Sequence, residues 1–168
     1  PTGTPNSRFL ELWSWGPLRY GENPHQSADL LSFHGHSPNE ASVVCSNEED
    51  NAESSVSFNN YVDAHSALEL SKDLSRYLSV GHRSKTCTFI KHTNPCGAAT
   101  DSNANIAYEK AYLGDSNAAM GGILSCNFNI DAAFAASVMD TYVQLGKDAG
   151  SSGFFLEVWV APGFEVAA

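Results

Sequence analysis

Basic residues are scarce in this sequence: 9 Lys and Arg stand against 19 Asp and Glu, for a formal net charge of −10. Such a surface has no general attraction for nucleic-acid phosphates or anionic lipid, so any anionic ligand must be held by a local group of cations. Cysteine is sparse too. Cys45, Cys87, Cys96 and Cys126 lie far apart and form no CxxC pair, which excludes a small disulfide-dense scaffold and favours reduced thiols. No apolar run approaches the ~20 residues of a membrane-spanning helix. Residues 1–7 carry no basic stretch leading into an apolar one, so no signal peptide is read there. The expectation is a cytoplasmic protein with neither nucleic-acid nor membrane partners.

What is present suits a folded domain. Hydrophobic residues make up 42% of the 168 positions and charged residues 17%, a balance unlike that of disordered chains and sufficient for one core. Residues 1–15 read as an N-terminal tail and lead-in, ending in the apolar cluster Phe9 to Trp15, with Gly16-Pro17 as a turn signal. Residues 46–55 form an acidic, polar loop. Apolar positions at helical spacing predict a helix over 63–78 with Asp63 as its N-cap. Further helices are expected over 103–113, stopped by Gly114, and over 131–145, ending at Gly146. Strands are expected at 87–90, at 123–124 and at 155–161. Alternating helices and strands predict an α/β layer architecture, with ligands held on loops beyond the strand ends.

Two dense motifs carry candidate chemistry. Leu18-Arg19-Tyr20-Gly21-Glu22-Asn23-Pro24-His25-Gln26 follows a non-helical path crowded with hydrogen-bonding groups. Its Arg19 suits bidentate capture of phosphate or carboxylate, although a surface turn with Arg19 paired to an acidic residue gives the same pattern. Lys91-His92-Thr93-Asn94-Pro95-Cys96-Gly97-Ala98 follows an apolar strand. A neighbouring ammonium favours the neutral imidazole, the form that accepts a proton. The same ammonium suits a carbonyl oxygen that gains negative charge during acyl transfer. The Asn94–Gly97 segment is expected to turn sharply and aim backbone N–H groups at a ligand. An ordinary strand-end turn with solvated Lys and His remains the plain alternative.

Other signals are weaker. His92 and Cys96 lack the x-Glu and second Cys that zinc-dependent deaminases carry, so no zinc or other metal site is expected. Cys96 reads as a small turn residue in preference to a nucleophile. Ser57-Phe58-Asn59-Asn60 suits helix-start chemistry. Ala118 to Gly122 permits close approach of a backbone to a ligand, or tight packing. Glu157 sits in an apolar strand, where burial would demand a partner such as ribose hydroxyls or a lysine. His34, His36, His65 and His82 read as surface residues.

Taken in order, Leu18–Gln26, Ser57–Asn60, Lys91–Ala98, Ala107–Tyr112, Met120–Ile123 and Glu157–Pro162 resemble the formyltransferase region of the bifunctional AICAR transformylase/IMP cyclohydrolase family. The likeness runs over residues 16–168. It implies a three-layer, cytidine-deaminase-like α/β domain without zinc, the first of two such subdomains. The implied reaction moves a formyl group from the cosubstrate 10-formyltetrahydrofolate to the 5-amino group of AICAR (aminoimidazole carboxamide ribonucleotide). Lys91 then matches the transition-state-stabilising lysine and His92 the proton acceptor. Arg19, Tyr20, His25, Asn60, Asn94, Gly121 and Glu157 match substrate contacts.

The resemblance also marks what this segment does not carry. Nothing in it resembles the cyclohydrolase domain, so the inosinate-forming step is not expected of it. Most folate contacts and a monovalent-cation site, where a structural potassium ion belongs, fall to the second subdomain. Activity is therefore expected only with a second formyltransferase half or a homodimer mate. The alternative is a non-catalytic nucleotide-binding or assembly subunit. The stretches at 46–55 and 146–153 are longer than the family pattern suggests.

Overall fold

The computed structural model describes residues 9–35, 43, 56–78 and 84–165. The tail at 1–7, Cys45, the acidic stretch at 46–55, His36 and His82 lie outside the described residues. The chain divides into two units, Pro1–Phe58 and Asn59–Ala168.

In the first unit, β1 (Leu12–Pro17) pairs antiparallel with β2 (Asp29–Phe33). Gly16-Pro17 does not turn the chain as expected. The register shifts between Ser14 and Gly16, with Gly16 at φ +125°, and Pro17 closes the strand opposite Asp29. A bulge thus absorbs the glycine, whose positive φ carries no side-chain penalty. Trp15 Nε1 donates to Ser32 Oγ at 2.8 Å, and Trp13 rests on the His34 ring.

The second unit holds a four-stranded sheet in the order β4-β3-β5-β6. β3 (Lys85–Lys91) runs antiparallel to both β4 (Asn94–Asp101) and β5 (Gly122–Cys126), and β6 (Leu156–Val160) is parallel to β5. Side chains alternate across β3 and commit its two faces to different helices. Phe89 meets the rings of Tyr108 and Tyr112 on α2 (Ala104–Tyr112), and Tyr108 meets Phe134 of α4 (Ala132–Met139). On the other face Thr88 Oγ1 donates to the Ala67 carbonyl of α1 (Phe58–Leu78) at 3.2 Å. The result is α/β, with helices on both sides of a mixed sheet.

The expected helices are present, with shifted limits. α1 starts at Phe58, five residues before Asp63, so Asp63 lies inside the helix and does not cap it. Asn103 and Asp131 do cap their helices, Asn103 Oδ1 accepting from Asn105 N and Ile106 N, and Asp131 Oδ1 from Phe134 N. The helix read over 131–145 ends at Met139 and continues as a π-helical turn over Tyr142–Gly146. A short α3 (Ser116–Ala119), capped by Asp115, leads into β5.

Three sets of contacts pin α1 along β3. Ser75 Oγ donates to Thr86 Oγ1 at 3.1 Å, and Asn127 Nδ2 donates to Ser75 Oγ at 2.9 Å, at the far end of the strand. Thr88 holds the middle, and Asp63 reaches the near end.

Candidate functional site

β3 and β4 are joined by two residues, since Lys91 pairs with Asn94. Both of the residues between them, His92 and Thr93, have positive φ, at 52° and 60°. Two-residue hairpin loops of this hand suit Asn-Gly. A histidine followed by a β-branched threonine is strained here by about 1–3 kcal/mol per residue. The turn is therefore at 92–93, and the expected turn over Asn94–Gly97 is corrected: those residues open β4.

Bonds from outside and within hold this turn. The Asp63 carboxylate accepts from His92 N at 3.1 Å (Oδ2) and from Thr93 N at 2.7 Å (Oδ1). The His92 carbonyl accepts from Thr93 Oγ1 and from Asn94 Nδ2, each at 2.7 Å. Two successive amides in left-handed residues form a concavity that suits an anion, and Asp63 fills it. The turn's own N–H groups, those of His92 and Thr93, are thus directed at a side chain of the protein, while the Asn94–Gly97 segment expected to aim its amides at a ligand is part of β4. Asp63 was legible in the sequence only as a helix cap, because its partners are 29 and 30 residues away.

The ammonium of Lys91, half-buried at the end of β3, donates to the Met120 carbonyl at 2.7 Å. His92, next in sequence, is exposed on the turn. Met120 precedes Gly121, whose φ of +69° and close packing against Phe155 leave little room for a side chain: a Cβ would meet Phe155 Cζ at 3.0 Å. Gly121 N donates to the Phe155 carbonyl at 2.9 Å, two residues before Glu157. Glu157 is exposed on β6, so the partner that burial would have demanded is not required of it. Asn60 lies on α1, one turn before Asp63 and half-buried. Lys91, His92 and Asn94 are thus assembled on one hairpin end, and Gly121 is tied to it through the Met120 carbonyl.

Cys96 is half-buried on β4 and its thiol is pushed up from the ordinary range, first by burial and then by Asp115; Lys91 opposes this and Asp63 adds to it. A raised thiol is a poor nucleophile, which agrees with a packing role. Among the described residues no group of three or more His, Cys, Asp or Glu side chains is placed to hold a metal.

The other motif lies in the first unit. Leu18 N donates to Ala28 O, Gly21 N to Gln26 O, Gln26 N to Asn23 O, and Asn23 N to Gln26 Oε1, closing a tight loop. Arg19 N donates to Val56 O and Phe58 N to Tyr20 O, each at 3.0 Å. The Arg19 guanidinium stands 4.9 Å from the centre of the Tyr20 ring and donates to its hydroxyl at 3.3 Å. His25 is exposed and, with Gly21, Glu22, Gln26 and Phe58, lines a shallow open depression of about 600 Å³. Arg19 and Tyr20 do not line it.

Residues 4–168 match the family model described as AICARFT/IMPCHase bienzyme. The bifunctional purine biosynthesis protein PurH of Xanthomonas euvesicatoria pv. vesicatoria is 33% identical over 173 aligned residues, covering 100% of this chain and 28% of that protein. The protein of the same name from Rhodopirellula baltica is 34% identical over 164 residues, covering 98% of this chain and 27% of its own length. The chain therefore spans between a quarter and a third of these relatives.

Proposed function

The chain belongs to the AICARFT/IMPCHase bienzyme family, and from that premise we propose that it is the first cytidine-deaminase-like subdomain, without zinc, of an AICAR formyltransferase. Its reaction is transfer of the formyl group of 10-formyltetrahydrofolate to the 5-amino group of AICAR, in the cytoplasm. The observation that carries this reading is the pairing of Lys91 and His92 at one strand end, with the ammonium anchored on Met120 O and the imidazole exposed.

In this reading the exocyclic amine attacks the formyl carbon while His92 accepts the proton it loses. The ammonium of Lys91 faces the oxygen that becomes negative; one of its three donors is used on Met120 O. As the tetrahedral adduct collapses, the C–N10 bond breaks and the imidazolium of His92 returns a proton to N10 of tetrahydrofolate. Arg19 and Tyr20 are assigned to gripping the nucleotide, with His25 and Asn60 beside them and Asn94, Gly121 and Glu157 as further substrate contacts. Folate contacts and a structural potassium ion are assigned to the second subdomain.

A partner is required by this reading, either that second half or a second copy. Large apolar residues exposed on both faces of the β1–β2 hairpin support one: Leu12, Leu31 and Phe33 on one face, Trp13 and Trp15 on the other. The test is formyl transfer by this chain complemented with the remaining formyltransferase region of a relative. His92→Ala is expected to lose at least ~100-fold in rate; an unchanged rate removes His92 as the base. Calorimetry with AICAR separates the alternative, since binding without turnover under complementation identifies a non-catalytic nucleotide-binding subunit.

A further inference from the structure

We infer that Asp63 is a positioning residue for His92, selecting the left-handed turn that presents the imidazole; this rests on the reading of His92 as the base. Neither residue of the turn chooses its own conformation. His92 at φ 52° and Thr93 at φ 60° occupy a region that favours Gly or Asn. Within the hairpin, Thr93 Oγ1 and Asn94 Nδ2 reach only the His92 carbonyl; from outside it, the Asp63 carboxylate touches both amides, at 3.1 and 2.7 Å.

The device works because its support is rigid. Asp63 projects from α1, which is fastened to the sheet by Thr88 on Ala67 O and by the Ser75–Thr86–Asn127 bonds. A carboxylate offers an acceptor to each amide, whereas an amide side chain offers only one oxygen. Removing the second acceptor frees one left-handed residue to relax toward the right-handed or extended regions, which redirects the His92 side chain. Lys91 is held separately through Met120 O, so loss of Asp63 is expected to move the base without moving the ammonium. Asn60, one turn earlier on α1, ties the same helix to an assigned substrate contact.

The experiment combines amide hydrogen exchange on the chain with kinetics on the complemented enzyme, for Asp63→Asn, Thr93→Gly and the double variant. Asp63→Asn is expected to speed exchange at the His92 and Thr93 amides by about tenfold or more while amides of β3 and β5 stay protected. It is also expected to lower kcat by up to about 100-fold, as for a displaced catalytic group, with the KM for AICAR little changed. Thr93→Gly removes the steric cost of positive φ, so the double variant is expected to recover most of the lost kcat. A general loss of structure would not be repaired by a glycine in the turn.

Unchanged exchange at both amides overturns the inference. So does a normal kcat in Asp63→Asn when His92→Ala is inactive, in which case the base reading stands alone. If His92→Ala is fully active, the base reading fails and the positioning role falls with it, whatever the exchange shows.

Discussion

Trp13 and Trp15 of the hairpin unit are 57% and 58% exposed, whereas Phe89 and Tyr112 of the sheet unit are fully buried at 0%. An isolated two-stranded ribbon has no second layer in which to hide its apolar side chains. The four-stranded sheet has helices on both faces, and its aromatic rings close on one another: Phe89 contacts Tyr108, Tyr112 and Phe154. The difference teaches where strain can be kept. A turn with two non-glycine residues at positive φ persists only where surrounding structure over-determines it, and it is the sheet unit that provides such a turn with a rigid helix and a fixed acceptor. The first unit instead shapes its motif by backbone hydrogen bonds within Leu18–Ala28, which need no core.

The sharpest way to break this contrast is at Gly97, where β4 runs against α2. A Cβ there would lie 1.9 Å from the Ala111 carbonyl oxygen, a backbone atom with no room to give. Gly97→Ala is expected to cost about 4 kcal/mol or more in urea unfolding of the sheet unit, the range of severe core disruptions. A cost under about 1 kcal/mol would mean that the layers are looser than described.

Two buried tyrosines sharpen it at the next level. Tyr108 OH lies 2.5 Å from Thr141 Oγ1, and Thr141 itself donates to Val138 O, so the phenol is the donor. Tyr112 OH is buried and, among the described residues, has no hydrogen-bond partner. Tyr108→Phe is expected to destabilise by about 1 kcal/mol, and Tyr112→Phe to be neutral or stabilising. Equal losses at the two positions would contradict that assignment.

In the hairpin, Trp13→Ser is expected to shift the unfolding free energy by no more than about 0.5 kcal/mol, as an exposed substitution does. Its effect belongs to association: sedimentation of the complemented pair should show weakened assembly.

The smallest effect is electrostatic. Asp101 is held down to about 2, first by the hydrogen bond from Lys110 at 2.8 Å and then by that from Asn103 N. Its folded pKa lies below the unfolded value near ~3.9, so its contribution is complete above about pH 4 and fades as pH falls toward about 2. Asp101→Asn is expected to flatten the acid limb of a stability-versus-pH curve in that window and to lower the curve by a small, constant amount near neutrality, where the carboxylate's contribution is complete.

Much of the layer pattern was legible from the chain, and the errors have physical causes. Ala64, Ala67 and the leucines revealed α1, but its start was misplaced because Asp63 resembles a cap, while its carboxylate serves a turn distant in sequence. β4 was hidden by Asn94-Pro95-Cys96-Gly97, a string of turn formers. It is a strand because it lies at the sheet edge, where Pro95 needs no ladder partner and a register shift accommodates it opposite Ile90. Gly97 serves close packing instead of a turn. The apolar neighbours of Glu157 leave its burial undecided in the sequence, and on β6 it is the exposed residue of the strand. At the candidate site, Lys91 and His92 were legible from residue type and position at a strand end. Met120 O and Asp63 were not, since a backbone acceptor and a cross-element carboxylate leave no local signature.

Chemical rescue tests the central claim most directly. In complemented enzyme carrying His92→Ala, added imidazole is expected to restore formyl transfer in proportion to its neutral form, with no such gain in Lys91→Ala. A His92→Ala enzyme that works at the unmodified rate, or one that imidazole revives no better than it revives Lys91→Ala, would contradict a proton acceptor at position 92.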